Sequence, residues 1–155
     1  MQDNKLRQYQ ISSETDNYQV KTQTESGITV ITDLAKKYGG NGSGPSPIEL
    51  LLSSLVGCEN IVAKKIASHL GFKINQAKFD IKAERDDRGL NDLPMTEDSP
   101  ISSGLQRIWG TVYVDTDGTD EQLQQMNQIL KKRCPVARMI VDSGCKLEVE
   151  WKKLE

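Results

Sequence analysis

The order of periodicities along this chain predicts an α+β fold, with strands and helices in separate runs rather than in repeating βαβ units. Three observations carry that reading: a period-two hairpin over residues 18–32, one long apolar helix over 46–70, and a closing run of two helices and a strand. At 155 residues, with 36% hydrophobic and 27% charged, the chain can fill one ordinary core, so a single domain spanning 1–155 is expected.

The hairpin alternates Tyr18, Val20 and Thr22 before Glu25-Ser26-Gly27, and Ile28, Val30 and Thr32 after it. Tyr38-Gly39-Gly40-Asn41-Gly42-Ser43-Gly44-Pro45 follows. It lacks the Gly-Lys-Ser/Thr ending of a phosphate-binding loop, so a flexible connector is the preferred reading. Ser46-Pro47 supplies a helix cap and a proline at the first helical position, with Glu49 in the first turn. The helix should reach about Leu70 and stop at Gly71, and its first half is apolar nearly all round, with polar groups gathering at Lys64, Lys65 and Ser68.

From Phe72 to Arg85 the pattern alternates again, Phe79, Ile81 and Ala83 opposing Lys78, Asp80, Lys82 and Glu84, as in a strand covered on one face. Residues 86–103 form a polar loop without periodicity, long for a compact domain. Leu105 to Asp115 reads as a strand and 120–133 as an amphipathic helix with Leu123, Met126, Ile129 and Leu130 on one face. Cys134 extends that stripe and should point inward; Pro135 then interrupts the hydrogen-bond ladder. A short helix over 136–142 and a covered strand over 145–151 complete the order. A long helix apolar on most sides has little to hide behind in so short a chain, and a homodimer that pools two such helices is the economical solution.

With 20 basic against 22 acidic residues and a net charge of −2, the chain has no cationic excess with which to neutralise phosphates, which argues against a nucleic-acid partner. The first residues lack an apolar signal region and no segment approaches a membrane span, so a cytoplasmic protein without a membrane partner is expected. Three irregularly spaced cysteines do not suggest a disulfide framework. A single histidine and no Cys-x-x-Cys pair argue against structural zinc, and no cofactor is expected.

Two cysteines remain as candidate chemistry. Cys58 lies inside the apolar helix, and Cys134 near a helix start beside Arg133, a setting expected to push its thiol toward thiolate. The plain alternative for both is core packing. Cys145 is read as structural, His69 as a solvated or capping residue, and Trp109 and Trp151 as core or interface residues on strand faces.

Asp33 ahead of the glycine-rich loop, Gly44-Pro45-Ser46-Pro47-Ile48-Glu49-Leu50-Leu51-Leu52 leading to Gly57-Cys58, and Cys134-Pro135-Val136 before a short helix resemble the OsmC/Ohr proteins, osmotically induced and organic hydroperoxide resistance proteins. The resemblance covers nearly the whole chain and implies an intertwined homodimer whose long central helices are wrapped by mostly antiparallel sheets. It further implies a thiol-dependent peroxidase for organic or hydrogen peroxides: Cys58 attacks, becomes a sulfenic acid and condenses with Cys134, and a dithiol or small-thiol reductant resets the pair. In well-characterised hydroperoxide-resistance relatives an arginine of the amino-terminal hairpin and a glutamate directly after the helix-initial proline activate the attacking thiol. Here Ile48 follows Pro47, the carboxylate falls one step later at Glu49, and the hairpin's only cation is Lys21, Arg7 lying upstream. One step turns a side chain about 100° around the helix, so Glu49 is carried only as a candidate third member of the site. A dimeric stress or ligand-binding module with little turnover is the alternative.

Overall fold

The computed structural model describes residues 5–92 and 94–154. The chain divides into two compact units, residues 1–53 and 54–155. In the first, β1 (Ile11–Asp16), β2 (Gln19–Thr24) and β3 (Thr29–Thr32) form an antiparallel three-stranded sheet in chain order. The expected hairpin is β2 and β3, turning through Gly27 at φ 82°. The first strand escapes a periodicity argument because Ile11 is its one apolar residue and all six positions are exposed; backbone pairing and a Ser13–Thr22 hydroxyl contact at 2.9 Å hold it to β2.

The glycine-rich segment is not a loose connector, and that expectation is corrected. Asp33 is buried, and its carboxylate accepts hydrogen bonds from the backbone N–H groups of Leu34, Asn41 and Ser43 and from the Ser43 hydroxyl. A Cβ on Gly40 would lie 2.0 Å from the Leu34 carbonyl oxygen, so glycine is required where the loop folds back over Asp33. Donation from the Ser43 N–H, then from its hydroxyl, holds the Asp33 carboxyl below the usual carboxylate range.

The long helix α1 (Pro47–His69) starts at a reciprocal cap: the Glu49 carboxylate accepts from the Ser46 N–H at 2.7 Å and hydroxyl at 2.8 Å, while the Glu49 N–H reaches the Ser46 hydroxyl oxygen. It ends where Gly71 adopts φ 81° and the Phe72 N–H returns to the Ala67 carbonyl. Leu55, Glu59, Ala63, Ile66 and Ala67 form its buried stripe, at helical spacing.

In the second unit the sheet order is β4 (Ile74–Glu84), β5 (Arg107–Thr116), β6 (Lys146–Lys153). The β4 and β5 strands pair antiparallel, whereas β5 and β6 run parallel, joined by a crossover through α3 (Asp120–Arg133) and α4 (Pro135–Asp142). The sheets are thus mostly antiparallel, as expected, with one parallel pairing that strand patterns do not reveal. Ile108, Val112, Val114 and Val149 from the sheet join Leu123, Met126 and Leu130 of α3 in the core. Phe79 meets Trp151 edge to face at 5.4 Å between centroids. Residues 86–103 contain a one-turn helix, α2 (Arg88–Asn91), opened by an Arg88–Asp86 ion pair; Leu93 lies outside the described residues.

Candidate active site

The site lies within the second unit, where α1 brings Cys58 and the joint between α3 and α4 brings Cys134. The joint follows from Pro135. Lacking an N–H, proline cannot continue α3, yet its fixed φ suits the first position of a new helix. Cys134 therefore serves twice, with extended backbone angles of φ −76° and ψ 115°. Its N–H closes α3 on the Leu130 carbonyl at 2.9 Å, and its sulfur caps α4 by accepting the Ala137 N–H at 3.5 Å.

Both thiols are free, Cys134 fully buried and Cys58 partly so, and Cys58 acts electrostatically on Cys134. Contrary to the expectation from its helix start and Arg133, the Cys134 thiol is not pushed toward thiolate. Burial drives its pKa up to about 12; the Ala137 N–H opposes this, and the interaction with Cys58 and the charge of Glu59 add to it. Removing charge from water outweighs one weak N–H donor here, so Cys134 holds its proton at neutral pH.

Glu59, the residue after Cys58, was passed over in the sequence. It is 3% exposed, in the buried stripe between Leu55 and Ala63, and its Oε2 has no hydrogen-bond partner among the described residues. Burial raises its pKa to about 7, against the pull of Lys131 on α3. The signal was available: a carboxylate in an apolar segment of a helix has few ways to stay wet. Glu49, by contrast, is committed to Ser46, whose N–H and then hydroxyl lower its pKa.

A cavity of about 690 Å³ is lined by Val62, Ile66, Leu70, Ile129 and Pro135, with Lys65, His69 and Arg133 also in its wall. Val62 is one turn beyond Cys58 and Pro135 follows Cys134, but neither thiol lines the cavity. His69 Nδ1 lies 2.8 Å from the Lys65 carbonyl oxygen and therefore carries the proton as donor. Cys145 is buried, its thiol raised by desolvation and directed to the Lys146 carbonyl, in keeping with a structural role. Among the described residues no group of histidine, cysteine and carboxylate side chains is arranged to hold a metal ion, and no helix is long and apolar enough to cross a membrane.

The chain is an α+β protein with one free cysteine on a long helix and another at a proline-broken helix joint. The family model of OsmC-like proteins matches residues 40–150, and the chain belongs to that family. Among solved structures, an OsmC-like protein from Mycoplasma pneumoniae is similar at 18% identity and TM-score 0.78, over 96% of this chain and 99% of that one. An organic hydroperoxide resistance protein OsmC from Legionella pneumophila matches at 10% identity and TM-score 0.70, covering 95% and 98%. A putative organic hydroperoxide resistance protein from Vibrio cholerae, with captopril bound in one of its active sites, matches at 16% identity and TM-score 0.69, covering 97% and 96%. No curated protein gave a significant match.

Proposed function

We propose that this protein is a cysteine-based peroxidase for organic or hydrogen peroxides, acting in oxidative-stress defence through Cys58 and Cys134. The observation that carries the reading is the electrostatic interaction of two free thiols 76 residues apart in sequence, one on α1 and one at the joint between α3 and α4. A thiolate at Cys58 attacks the outer peroxide oxygen, the O–O bond breaks, and the alkoxide takes a proton and leaves as the alcohol. The Cys58 sulfenic acid then condenses with Cys134, releasing water. A dithiol or small-thiol reductant returns both sulfurs to thiols.

The high pKa of Cys134 supports this order of events, since a thiol protonated at pH 7 is a poor first nucleophile. Glu49 enters the scheme as a positioning residue, through the cap that fixes the start of α1. The working unit is a homodimer in the cytoplasm, supported by the exposed apolar residues Ile48, Leu51 and Ile61 on α1. A dimeric binding module with little turnover is the second reading, favoured by the engagement of Glu49 with Ser46 and by the absence of arginine from residues 11–32.

Cumene hydroperoxide with a dithiol reductant separates the two. Wild type should consume peroxide, Cys58→Ser should not, and stoichiometric peroxide should remove two hydrogens from the intact mass of wild type alone. Equal peroxide loss in wild type and Cys58→Ser would reject the peroxidase reading.

A further inference from the structure

Closing a disulfide onto Cys58 requires Cys134 to lose its proton as it attacks, and Cys134 is fully buried, so water does not take that proton directly. The site must therefore hold a proton acceptor that the two cysteines do not themselves supply. The titratable groups that act on Cys134 or on Glu59 are few, and His69 is not among them. Cys58 and Glu59 come from α1, Lys131 from α3, and Cys134 from the joint between α3 and α4. Lys131 is a cation and accepts nothing. Glu59 is a carboxylate held out of water, with one oxygen lacking any partner among the described residues and with its charge felt at Cys134.

We propose that Glu59 is the proton relay of disulfide closure, a buried carboxylate that follows Cys58 on α1 and is left with an unpartnered oxygen to take the Cys134 proton. The inference rests on the peroxidase reading above and assigns a residue to its second step. Once Cys58 carries the sulfenic hydroxyl, the Cys134 S–H proton passes to the Glu59 carboxylate. The Cys134 sulfur then bonds to the Cys58 sulfur while the Cys58 S–O bond breaks, so that Cys134 is oxidised and the sulfenyl sulfur reduced. The departing hydroxide collects the proton from Glu59 and leaves as water. Glu59 ends as it began, a carboxylate, and no further oxidant or co-reactant is needed. An acid whose pKa lies at about 7 is matched to that duty, since it can both accept and return a proton near neutral pH. Lys131 fits the same scheme by keeping part of the Glu59 population ionised against the burial that opposes it.

The test separates the two steps. Sulfenic acid formation is followed by dimedone trapping in Cys134→Ser, with and without Glu59→Gln; disulfide closure is followed by rapid quench and intact mass in the full-length protein carrying both cysteines. Glu59→Gln should leave trapping unchanged and slow closure about 100-fold at pH 8. In wild type, closure should quicken as pH rises through about 7 and then level off. Glu59→Gln should lose that inflection, and Glu59→Asp should keep it. Equal closure rates in wild type and Glu59→Gln, or slowing of both steps by the same factor, would overturn the proposal. Should Glu59→Gln not fold, the wild-type profile decides alone, and a closure rate flat between pH 6 and 8 would also overturn it. No dimedone adduct in Cys134→Ser and no disulfide in wild type would instead remove the peroxidase reading, and the relay with it.

Discussion

At the scale of single residues, the cost of burying Glu59 makes a prediction about stability that is independent of turnover. Its pKa is raised from 4.5 in the open chain to about 7 in the fold, so the folded state binds the proton more tightly. The resulting stabilisation is complete below pH 4.5 and is lost as pH rises through 7. Urea unfolding should therefore show wild type losing about 3 kcal/mol relative to Glu59→Gln between pH 4 and pH 9. A constant difference across that range would mean that the carboxyl is hydrated. The cysteines illustrate what a sequence can and cannot convey at this scale. The inward direction of Cys134 was legible, because it lies four residues beyond Leu130 on an apolar stripe. The sign of its pKa shift was not, because depth of burial depends on what the rest of the chain stacks around the sulfur. The pairing of Cys58 with Cys134 came from the resemblance to a family, since no local pattern joins residues so far apart.

At the scale of elements, legibility followed the strength of apolar periodicity and end signals. The bounds of α3 agree with the expected 120–133 because Thr119 and Gln122 make a capping box and Asp120 and Glu121 stand at the positive end of the helix dipole. Thr119→Ala should cost about 1 kcal/mol, read as a lower urea midpoint with an unchanged slope. A neutral result would show that the crossover, not the cap, fixes where α3 begins. The first strand was illegible for the opposite reason: a six-residue strand exposed throughout leaves no alternation to read. The glycine-rich segment misled because composition reports freedom of the backbone, while Asp33 removes that freedom through four hydrogen bonds. The parallel partnership of β5 and β6 could not be foreseen from either strand, as neighbours in a sheet are chosen by the path of the connecting helices.

At the scale of the whole molecule, α1 presents a surface that one chain leaves uncovered. Ile61 is 57% exposed, and a Cβ added at Gly57, one turn earlier, would meet nothing within 4 Å. A glycine not required by its own chain, next to an exposed isoleucine, leaves room for a second backbone to approach. Ile61→Glu should therefore convert a dimer to a monomer in sedimentation velocity while preserving helical circular dichroism. An unchanged sedimentation coefficient would place the self-association surface elsewhere. The joint at Cys134 has a consequence of another kind. Its sulfur is the acceptor that tethers the opening turn of α4, and in the proposed cycle it is also one end of the disulfide. Catalytic oxidation would draw the same atom toward two duties at once, so chemistry at the thiol and the posture of a helix become mechanically linked through a single side chain.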